Sequence, residues 1–250
     1  GPASVLYGSN AMGGVVNIIT RETEEEYQID SNLVANIPGY QADIIVGGTK
    51  SNVSVLGNFN ARKLKSYDLD PSTIDTTGPD ATQIDVGLKA TVKTHNGTKV
   101  GASSSYMLRD LQRISSNSAG AVFDQLNRTE DARIIINSSS IFSSSKLTST
   151  VSWSKYKDQY LVDQRNSVDL DELQETIQDL YFIGGQYDHV GENHVSSTGF
   201  EFMLESLYSD RLLEGQNQRI RPSFYLQDQF FLQEVLTVVT GLRVDYDSWF

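Results

Sequence analysis

Residues 82–94 read TQIDVGLKATVKT, and this stretch decides the fold. Apolar and polar side chains alternate along it with a period of two. One face carries Ile84, Val86, Leu88, Ala90 and Val92, and the other face carries Gln83, Asp85, Lys89 and Lys93. Successive side chains of a β-strand point to opposite faces, whereas an α-helix repeats about every 3.6 residues. The stretch therefore predicts a strand with one apolar and one polar face.

The same alternation recurs along most of the chain. Clear examples are residues 53–62, 200–205 and 236–247. The predicted strands are about 10 to 13 residues long, whereas strands of ordinary globular proteins have roughly 5–6 residues. We expect about eleven such strands. The pattern predicts an all-β protein whose strands form an antiparallel up-and-down meander.

Two kinds of connection separate the predicted strands. Short polar turns are predicted near residues 50–52, 95–97, 143–145, 191–193 and 233–234, and long polar loops near residues 65–81, 110–127, 158–175 and 207–221. The two kinds alternate, so all the long loops leave one end of the sheet. Transmembrane β-barrels of outer membranes have this asymmetry, together with an apolar outer face and a polar lumen. The alternative, a soluble β-sandwich or propeller, would use shorter strands and short loops at both ends.

Composition excludes several classes of site. The chain has 250 residues, a formal net charge of −12 and no cysteine. Disulfides, thiolate metal sites and thiol nucleophiles are therefore excluded within this sequence. The acidic balance disfavours a nucleic-acid partner. No stretch approaches eighteen consecutive apolar residues, which excludes a transmembrane helix.

The first twenty residues, GPASVLYGSNAMGGVVNIIT, differ from the strands that follow. They resemble the C-terminal end of the plug domain of TonB-dependent outer-membrane receptors of the siderophore and cobalamin type. The resemblance lies in the residues Gly1, Pro2, Tyr7, Gly8, Gly13, Gly14 and Asn17, in the family's order. A second segment, residues 223–245, is similar to a hairpin midway round the barrel of this family.

The resemblance implies a plug domain held inside a barrel of about twenty-two strands. Residues 1–24 would be the C-terminal end of the plug with its linker, and residues 25–250 the N-terminal half of the transmembrane barrel. We expect the chain to be the middle portion of a longer receptor. The expected partners are outer-membrane lipid, a small nutrient ligand such as a metal chelate, and the TonB complex, which contacts an N-terminal plug segment in this family.

Eight aromatic residues fall at predicted strand ends or in predicted loops: Tyr67, Tyr156, Tyr160, Tyr208, Phe224, Tyr225, Trp249 and Phe250. Two interpretations stay open for them. An aromatic girdle at the membrane interface is favoured for most. Contact with a ligand in the extracellular vestibule is favoured for Tyr67 and Tyr160, which lie in predicted loops.

The predicted loop at residues 65–81 is acidic and contains Asp68, Asp70, Asp75 and Asp80. Calcium binds about six to eight oxygen ligands, often from aspartates in flexible loops. Cobalamin receptors of the resembled family use calcium in barrel loops. We therefore consider these four residues a candidate calcium site, although their spacing is not that of an EF-hand. The alternative is a solvated acidic loop without a cofactor.

No enzyme is predicted. His95, His189 and His194 fall at turns or strand starts, and no Ser/His/Asp arrangement accompanies them. The resemblance implies a receptor in the outer membrane of a Gram-negative bacterium, which binds a ferric siderophore or cobalamin and imports it with energy from the TonB complex. The alternative is a β-rich adhesin or ligand-binding surface protein whose long loops bind a partner.

Overall fold

The structure, a computed structural model, describes residues 22–36, 38–232 and 236–248. The elements in this part are β1 (Gln28–Asn36), β2 (Gly39–Lys50), β3 (Val53–Leu64), β4 (Asp80–Lys93), β5 (Lys99–Ser116), β6 (Val122–Phe142), β7 (Ser145–Gln164), β8 (Glu172–Val190), β9 (His194–Ser209), β10 (Gln216–Leu232) and β11 (Leu236–Asp245). They form one sheet in sequence order, and each neighbouring pair is antiparallel. The predicted fold class is confirmed. None of the described residues belongs to a helix that is long and apolar enough to cross a membrane.

The sheet is open. Within the described residues, β1 pairs only with β2, and β11 pairs only with β10. The outer backbone groups of both edge strands are available for further pairing, which makes each edge adhesive in water and costly in lipid. The two edge strands of the described sheet are Gln28–Asn36 and Leu236–Asp245.

The connections at one end of the sheet are short, as predicted. Only Ser51 and Asn52 join β2 to β3, and only Ser143 and Ser144 join β6 to β7. Ser51 and Ser143 adopt positive φ angles of 55° and 46°, and Gly97 in the turn after β4 adopts 76°. Left-handed backbone of this kind reverses the chain within two to four residues. We name this end of the sheet the turn end and the opposite end the loop end.

At the loop end, three of the four predicted long loops are wrong. Only residues 65–79 form a long connection; the others shrink to residues 117–121, 165–171 and 210–215. The strands extend instead, and β6 reaches 21 residues rather than the expected 10 to 13. The segments were mistaken for loops because polar residues occupy both faces there.

Each strand contributes to two faces of different chemistry, which we name the apolar face and the polar face. Cross-strand pairing aligns the apolar face, for example Phe59 with Val86 and Trp153 with Tyr181. The apolar face includes Val53, Val55, Phe59, Ile84, Val86, Leu88, Ile134, Ile136, Val151, Trp153, Tyr181, Ile183, Phe200, Phe202, Phe224, Leu242 and Val244. The polar face includes Gln83, Asp85, Lys89, Arg109, Thr129, Tyr156, Asp158, Tyr160, Glu201, Tyr225 and Arg243. The two faces predicted for β4 are thus confirmed in register.

The apolar face is the more exposed of the two. Leu88 is 54% exposed and Phe224 is 56% exposed, whereas Thr91 and Thr129 of the polar face are buried. Among the described residues, Tyr225 is the only apolar one that is buried. No second layer formed by the described residues covers the apolar face, and exposing such an area to water is unfavourable by about 25 cal/mol per Å². In residues 22–36, 38–232 and 236–248 the sheet thus has no apolar core, and its apolar face requires an apolar surrounding.

Toward the loop end, the apolar face gives way to a band of charged pairs, which we name the ion-pair band. It includes Lys63–Asp80 at 3.0 Å, Arg128–Asp110 at 2.7 Å, Lys157–Glu175 at 2.9 Å and Arg165–Asp124 at 2.7 Å. The Arg165 guanidinium holds the pKa of Asp124 below its usual value, chiefly by hydrogen bonding. Charges on this face can be solvated only outside hydrocarbon. The band marks where the apolar belt ends.

Candidate ligand-binding surface

The loop end of the polar face carries a hydrogen-bonded network that joins β5, β6 and β7. The Arg109 Nη2 donates to Thr129 Oγ1 at 3.3 Å, and Thr129 Oγ1 donates to Asp158 Oδ1 at 3.2 Å. Asn127 Nδ2 donates to the same carboxylate oxygen at 3.0 Å. Thr129 is only 1% exposed and lies directly opposite both Arg109 and Asp158 in the register. Cross-strand pairing thus fixes the network, and sequence reasoning missed it because the partners are 20 to 31 residues apart.

One hydrogen-bond donor of this network has no acceptor in the described part of the chain. The Nε atom of Arg109 is buried and has no hydrogen-bond partner among the described residues. A guanidinium presents donors in a rigid fork that matches carboxylates and other planar anionic oxygens. Because the Nε atom is buried, a ligand on this part of the polar face could reach only other N–H groups of Arg109.

Tyr160 lies beside this network. It is part of β7 rather than a loop, so its predicted loop placement is wrong, because β7 continues to Gln164. Its register partner on β6 is Asn127, and Tyr156 lies four residues along the same face. Two aromatic side chains and one arginine therefore share one part of the polar face. A role of Tyr160 in ligand contact stays a prediction.

Tyr67 lies elsewhere, in the loop of residues 65–79. Its carbonyl accepts a hydrogen bond from the Gly78 amide at 3.0 Å, and the two residues form an isolated β-bridge. The ring packs on Gly78 so closely that any side chain there would meet it. Tyr67 is still 53% exposed. The structure thus places Tyr67 in an ordered loop, and its contact with a ligand stays a prediction.

A cavity of about 370 Å³ lies between this loop and the ends of β5, β6 and β7. Its lining includes Thr76, Gln112, Gln125 and Leu161. The Thr76 amide donates to the Ile114 carbonyl at 3.0 Å and so anchors the loop to β5. In the register Gln112, Leu126 and Leu161 lie on the apolar-face side, so most of the recess under this loop lies on the opposite side of the sheet from the Arg109 network.

The four aspartates of the candidate calcium site are not brought together as one ligand set. Asp68 Oδ1 accepts from the Asp70 amide at 2.9 Å, and Asp80 pairs with Lys63. The hydroxyl and amide of Ser72 donate to Asp70 and lower its pKa. No group of three or more His, Asp or Glu side chains in the described residues could hold a metal ion. Calcium binding by Asp68, Asp70, Asp75 and Asp80 stays a prediction without support from their positions.

A second polar network lies nearer the turn end. Tyr225 is 4% exposed, its Oη donates to Gln186 Oε1 at 2.8 Å, and the Arg243 guanidinium stacks over its ring at 5.5 Å. Arg243 also bonds Glu201 Oε2 at 2.7 Å. Tyr225 therefore belongs to the polar face and not to an aromatic girdle. Phe224, its neighbour, lies on the apolar face as a girdle residue would.

The segment before β1 is attached to the polar face. Glu22 pairs with Lys99 at 2.7 Å and with Lys89 at 3.3 Å. The carbonyl of Thr23, which is buried, accepts hydrogen bonds from Thr49 Oγ1 at 2.6 Å and Ser54 Oγ at 3.2 Å. The segment predicted as the linker at the end of residues 1–24 therefore includes an ion-paired anchor, Glu22. The plug-motif residues Gly1, Pro2, Tyr7, Gly8, Gly13, Gly14 and Asn17, as well as Trp249 and Phe250, lie outside the described residues.

His95 and His194 lie where the sequence predicts them, at a turn and a strand start, whereas His189 lies near the end of a strand. His95 is in the turn after β4, His194 begins β9, and His189 is one residue from the end of β8. His189 and His194 have ring centroids 6.1 Å apart at the turn end, far along the strands from the Arg109 network.

Comparison with known proteins gives matches in structure only. No protein-family model and no curated protein sequence matches the chain. The siderophore receptor PirA from Pseudomonas aeruginosa matches 99% of this chain with a TM-score of 0.74 and 18% identity. A variant of the ferric enterobactin receptor PfeA from the same organism matches 99% with a TM-score of 0.69 and 14% identity. The matches cover 42% and 43% of those chains.

These receptors are TonB-dependent, so the resemblance read from the sequence is confirmed at the level of the fold. The open sheet corresponds to part of a barrel. The chain has the fold of the barrel of TonB-dependent siderophore receptors, over somewhat less than half of their length.

Proposed function

We propose that this chain forms part of an outer-membrane receptor that binds a ferric siderophore and imports it with energy from the TonB complex. Residues 1–24 are the end of its plug domain and residues 25–250 half of its barrel wall. The receptor makes and breaks no covalent bond. Its partners are outer-membrane lipid, the chelate and the TonB complex.

One observation carries the proposal. The buried side chains of the strands, such as Thr129 and Tyr225, lie on the polar face, whereas the side chains of the apolar face are exposed along the sheet. A sheet of this kind suits a wall between lipid and an aqueous lumen. The Arg109 network and the two tyrosines line the loop end of that lumen, where a substrate from outside arrives first. The two structural neighbours are receptors for a siderophore and for ferric enterobactin, which favours a siderophore over cobalamin as the ligand.

Uptake by the intact receptor tests the proposal. Cells that depend on it should accumulate radiolabelled ferric chelate only when the TonB complex is active. Replacing residues 66–78 with a short turn removes the loop above the cavity. We expect chelate affinity to fall at least about tenfold. Barrel assembly should stay unchanged, as measured by the fraction of protein that migrates as the folded form on a denaturing gel when the sample is not heated.

A matched control changes the other end of the sheet. Exchanging His95 and Asn96 for other turn residues alters a connection of similar exposure and should leave affinity unchanged. Equal loss of binding in both variants would contradict the assignment of the loop end as the ligand side. A receptor that stays monodisperse without detergent would contradict the membrane assignment and favour an adhesin.

A further inference from the structure

Two histidines lie side by side at the turn end of the sheet. His189 belongs to β8, and His194 begins β9. The register pairs His189 with Ser196, so His194 is the diagonal neighbour of His189 on the same face. The two ring centroids are 6.1 Å apart, and the ring planes are tilted by 53°. Both side chains are half-buried, so solvent and small ions reach them.

This separation suits two imidazoles that hold one metal ion. A transition-metal ion lies about 2.0–2.1 Å from a coordinating histidine nitrogen. Because each ring nitrogen lies about 1.2 Å from its ring centroid, two rings that share an ion have centroids at most about 6.5 Å apart. The observed 6.1 Å lies within that limit. Imidazole nitrogen suits Cu²⁺, Zn²⁺ and Ni²⁺, whereas Ca²⁺ and Mg²⁺ prefer oxygen ligands.

The hydrogen bonds of His189 leave its other ring nitrogen in position for such an ion. Nδ1 of His189 lies 2.9 Å from Ser145 Oγ, which lies 2.8 Å from Tyr187 Oη. A metal-binding histidine usually donates its second ring N–H to an oxygen, which fixes the ring and makes the coordinating nitrogen more basic. When Nδ1–H donates to Ser145, Nε2 presents its lone pair. Ser145 can therefore position His189 as a ligand.

The surroundings of His194 hold its ring toward the end of β8. The Gly191 amide, just after β8, donates to the His194 carbonyl at 2.9 Å. A Cβ atom at Gly191 would meet the His194 ring at 2.5 Å, so the absence of a side chain there makes room for the imidazole. The Phe230 ring lies 6.1 Å from the His194 ring, centroid to centroid. The imidazole is therefore confined beside His189.

A carboxylate on the same row of the sheet lacks compensation. Asp228 of β10 pairs with Ser196, which also pairs with His189. The Oδ1 atom of Asp228 is buried and has no hydrogen-bond partner among the described residues. A buried charged oxygen without a donor is costly unless a cation lies near. Two strand spacings, about 10 Å between Cα atoms, separate Asp228 from His189, so an ion on the histidines would offset part of this cost.

We propose that His189 and His194 bind a divalent transition-metal ion such as Cu²⁺ or Zn²⁺, which joins β8 to β9 at the turn end. Each histidine supplies one nitrogen, and Ser145 positions His189. No third His, Asp or Glu of the described residues completes a ligand set, so water fills the remaining positions. The site lies at the opposite end of the strands from the Arg109 network and does not depend on the proposed function.

Copper binding by the intact receptor, purified in detergent and stripped of metal, tests the proposal. Titration with Cu²⁺ is followed by electron paramagnetic resonance, and electron spin echo modulation counts the coordinated imidazoles. The unchanged receptor should hold Cu²⁺ with two imidazoles. His189→Gln and His194→Gln should each weaken binding at least about tenfold and leave one imidazole on the ion, because one of two linked ligands is lost. His95→Gln is the matched control: it removes the other histidine of the turn end and should change neither quantity.

A further variant tests the positioning role. Ser145→Ala should weaken Cu²⁺ binding about 10–100-fold while two imidazoles remain, because Nδ1 of His189 loses its partner. Migration as the folded form on an unheated gel shows that each variant has assembled. Equal Cu²⁺ affinity in the unchanged receptor and both histidine variants overturns the inference, as does a single imidazole in the unchanged receptor or displacement of Cu²⁺ by equimolar Ca²⁺. Unchanged binding in Ser145→Ala contradicts the positioning role.

Discussion

The two faces of this sheet differ in the reverse sense from those of a water-soluble protein: polar side chains are buried on one face, and apolar side chains are exposed on the other. Ile135 and Ile136 are neighbours on β6, yet Ile135 points to the polar face and Ile136 to the apolar face, where it is 49% exposed. On the polar face, side chains bond one another across strands, as in the Arg109–Thr129–Asp158 network. On the apolar face, cross-strand side-chain bonds of the described residues lie toward the ends of the strands, as in Ser145–Tyr187 and Arg128–Asp110. The difference shows that the surrounding of each face, and not the hydrophobicity of a residue alone, decides where a side chain is stable.

The largest effect should come from placing a charge on each face in turn. Ile136→Arg should destabilise the intact receptor in lipid vesicles by about 2–4 kcal/mol, because the guanidinium would enter hydrocarbon near mid-membrane. Ile135→Arg makes the same exchange one residue away and should cost little, because the lumen is aqueous. Urea unfolding followed by tryptophan fluorescence measures both free energies of unfolding.

The two isoleucines control for strand position and residue type. Similar costs at both positions would remove the distinction between the faces and with it the membrane assignment. The same pair examined in detergent should show a smaller difference, because water reaches a micelle surface more easily than a bilayer.

An intermediate effect should come from adding a methyl group to each face. The Cβ of Gly199→Ala would lie against the Tyr225 ring and 2.7 Å from the Gly185 carbonyl oxygen, on the tightly packed polar face. Overpacking of this kind costs about 1–3 kcal/mol. The control Gly57→Ala lies on the apolar face, where the nearest atom, the Val46 carbonyl oxygen, is 3.7 Å away. It should be close to neutral, and a larger loss there than at Gly199 would contradict the packing difference.

Much of the fold could be predicted from sequence because lipid imposes a strict alternation. Strand β4 and the short turns at Ser51 and Ser143 follow directly from that pattern. Beyond the apolar belt no such constraint acts, and strands such as β6 continue with ion pairs, for example Arg128–Asp110, in place of apolar contacts. Alternation of hydropathy disappears there although the backbone ladder does not. Three strand extensions were therefore mistaken for loops.

The candidate site was less predictable for a related reason. Tyr160 was singled out by residue type, but its companions Arg109 and Thr129 reach it only through strand register, which a single sequence fixes only approximately. The Glu22 anchor was missed because an acidic stretch is usually solvated, and its two lysine partners lie 67 and 77 residues away in the chain. Signals of this kind come from pairing between strands and not from local sequence.

The smallest expected effect concerns the attachment of the chain to the polar face at the turn end. Hydrogen bonding from Lys99, opposed by partial burial and supported by Lys89, holds the pKa of Glu22 below its usual 4.5. A carboxyl group with a lowered pKa in the folded state stabilises that state above its unfolded pKa and loses the effect as pH falls through the folded value. The anchor should therefore loosen only below about pH 4.5.

The chain has no cysteine, so a spin label attached through Glu24→Cys reports on this segment alone within it. Label mobility should rise between pH 5 and pH 3, whereas with Glu22→Gln added it should be high at both values. A mobility that ignores pH in both backgrounds would show that Thr23 and the backbone, and not the ion pair, hold the segment in place.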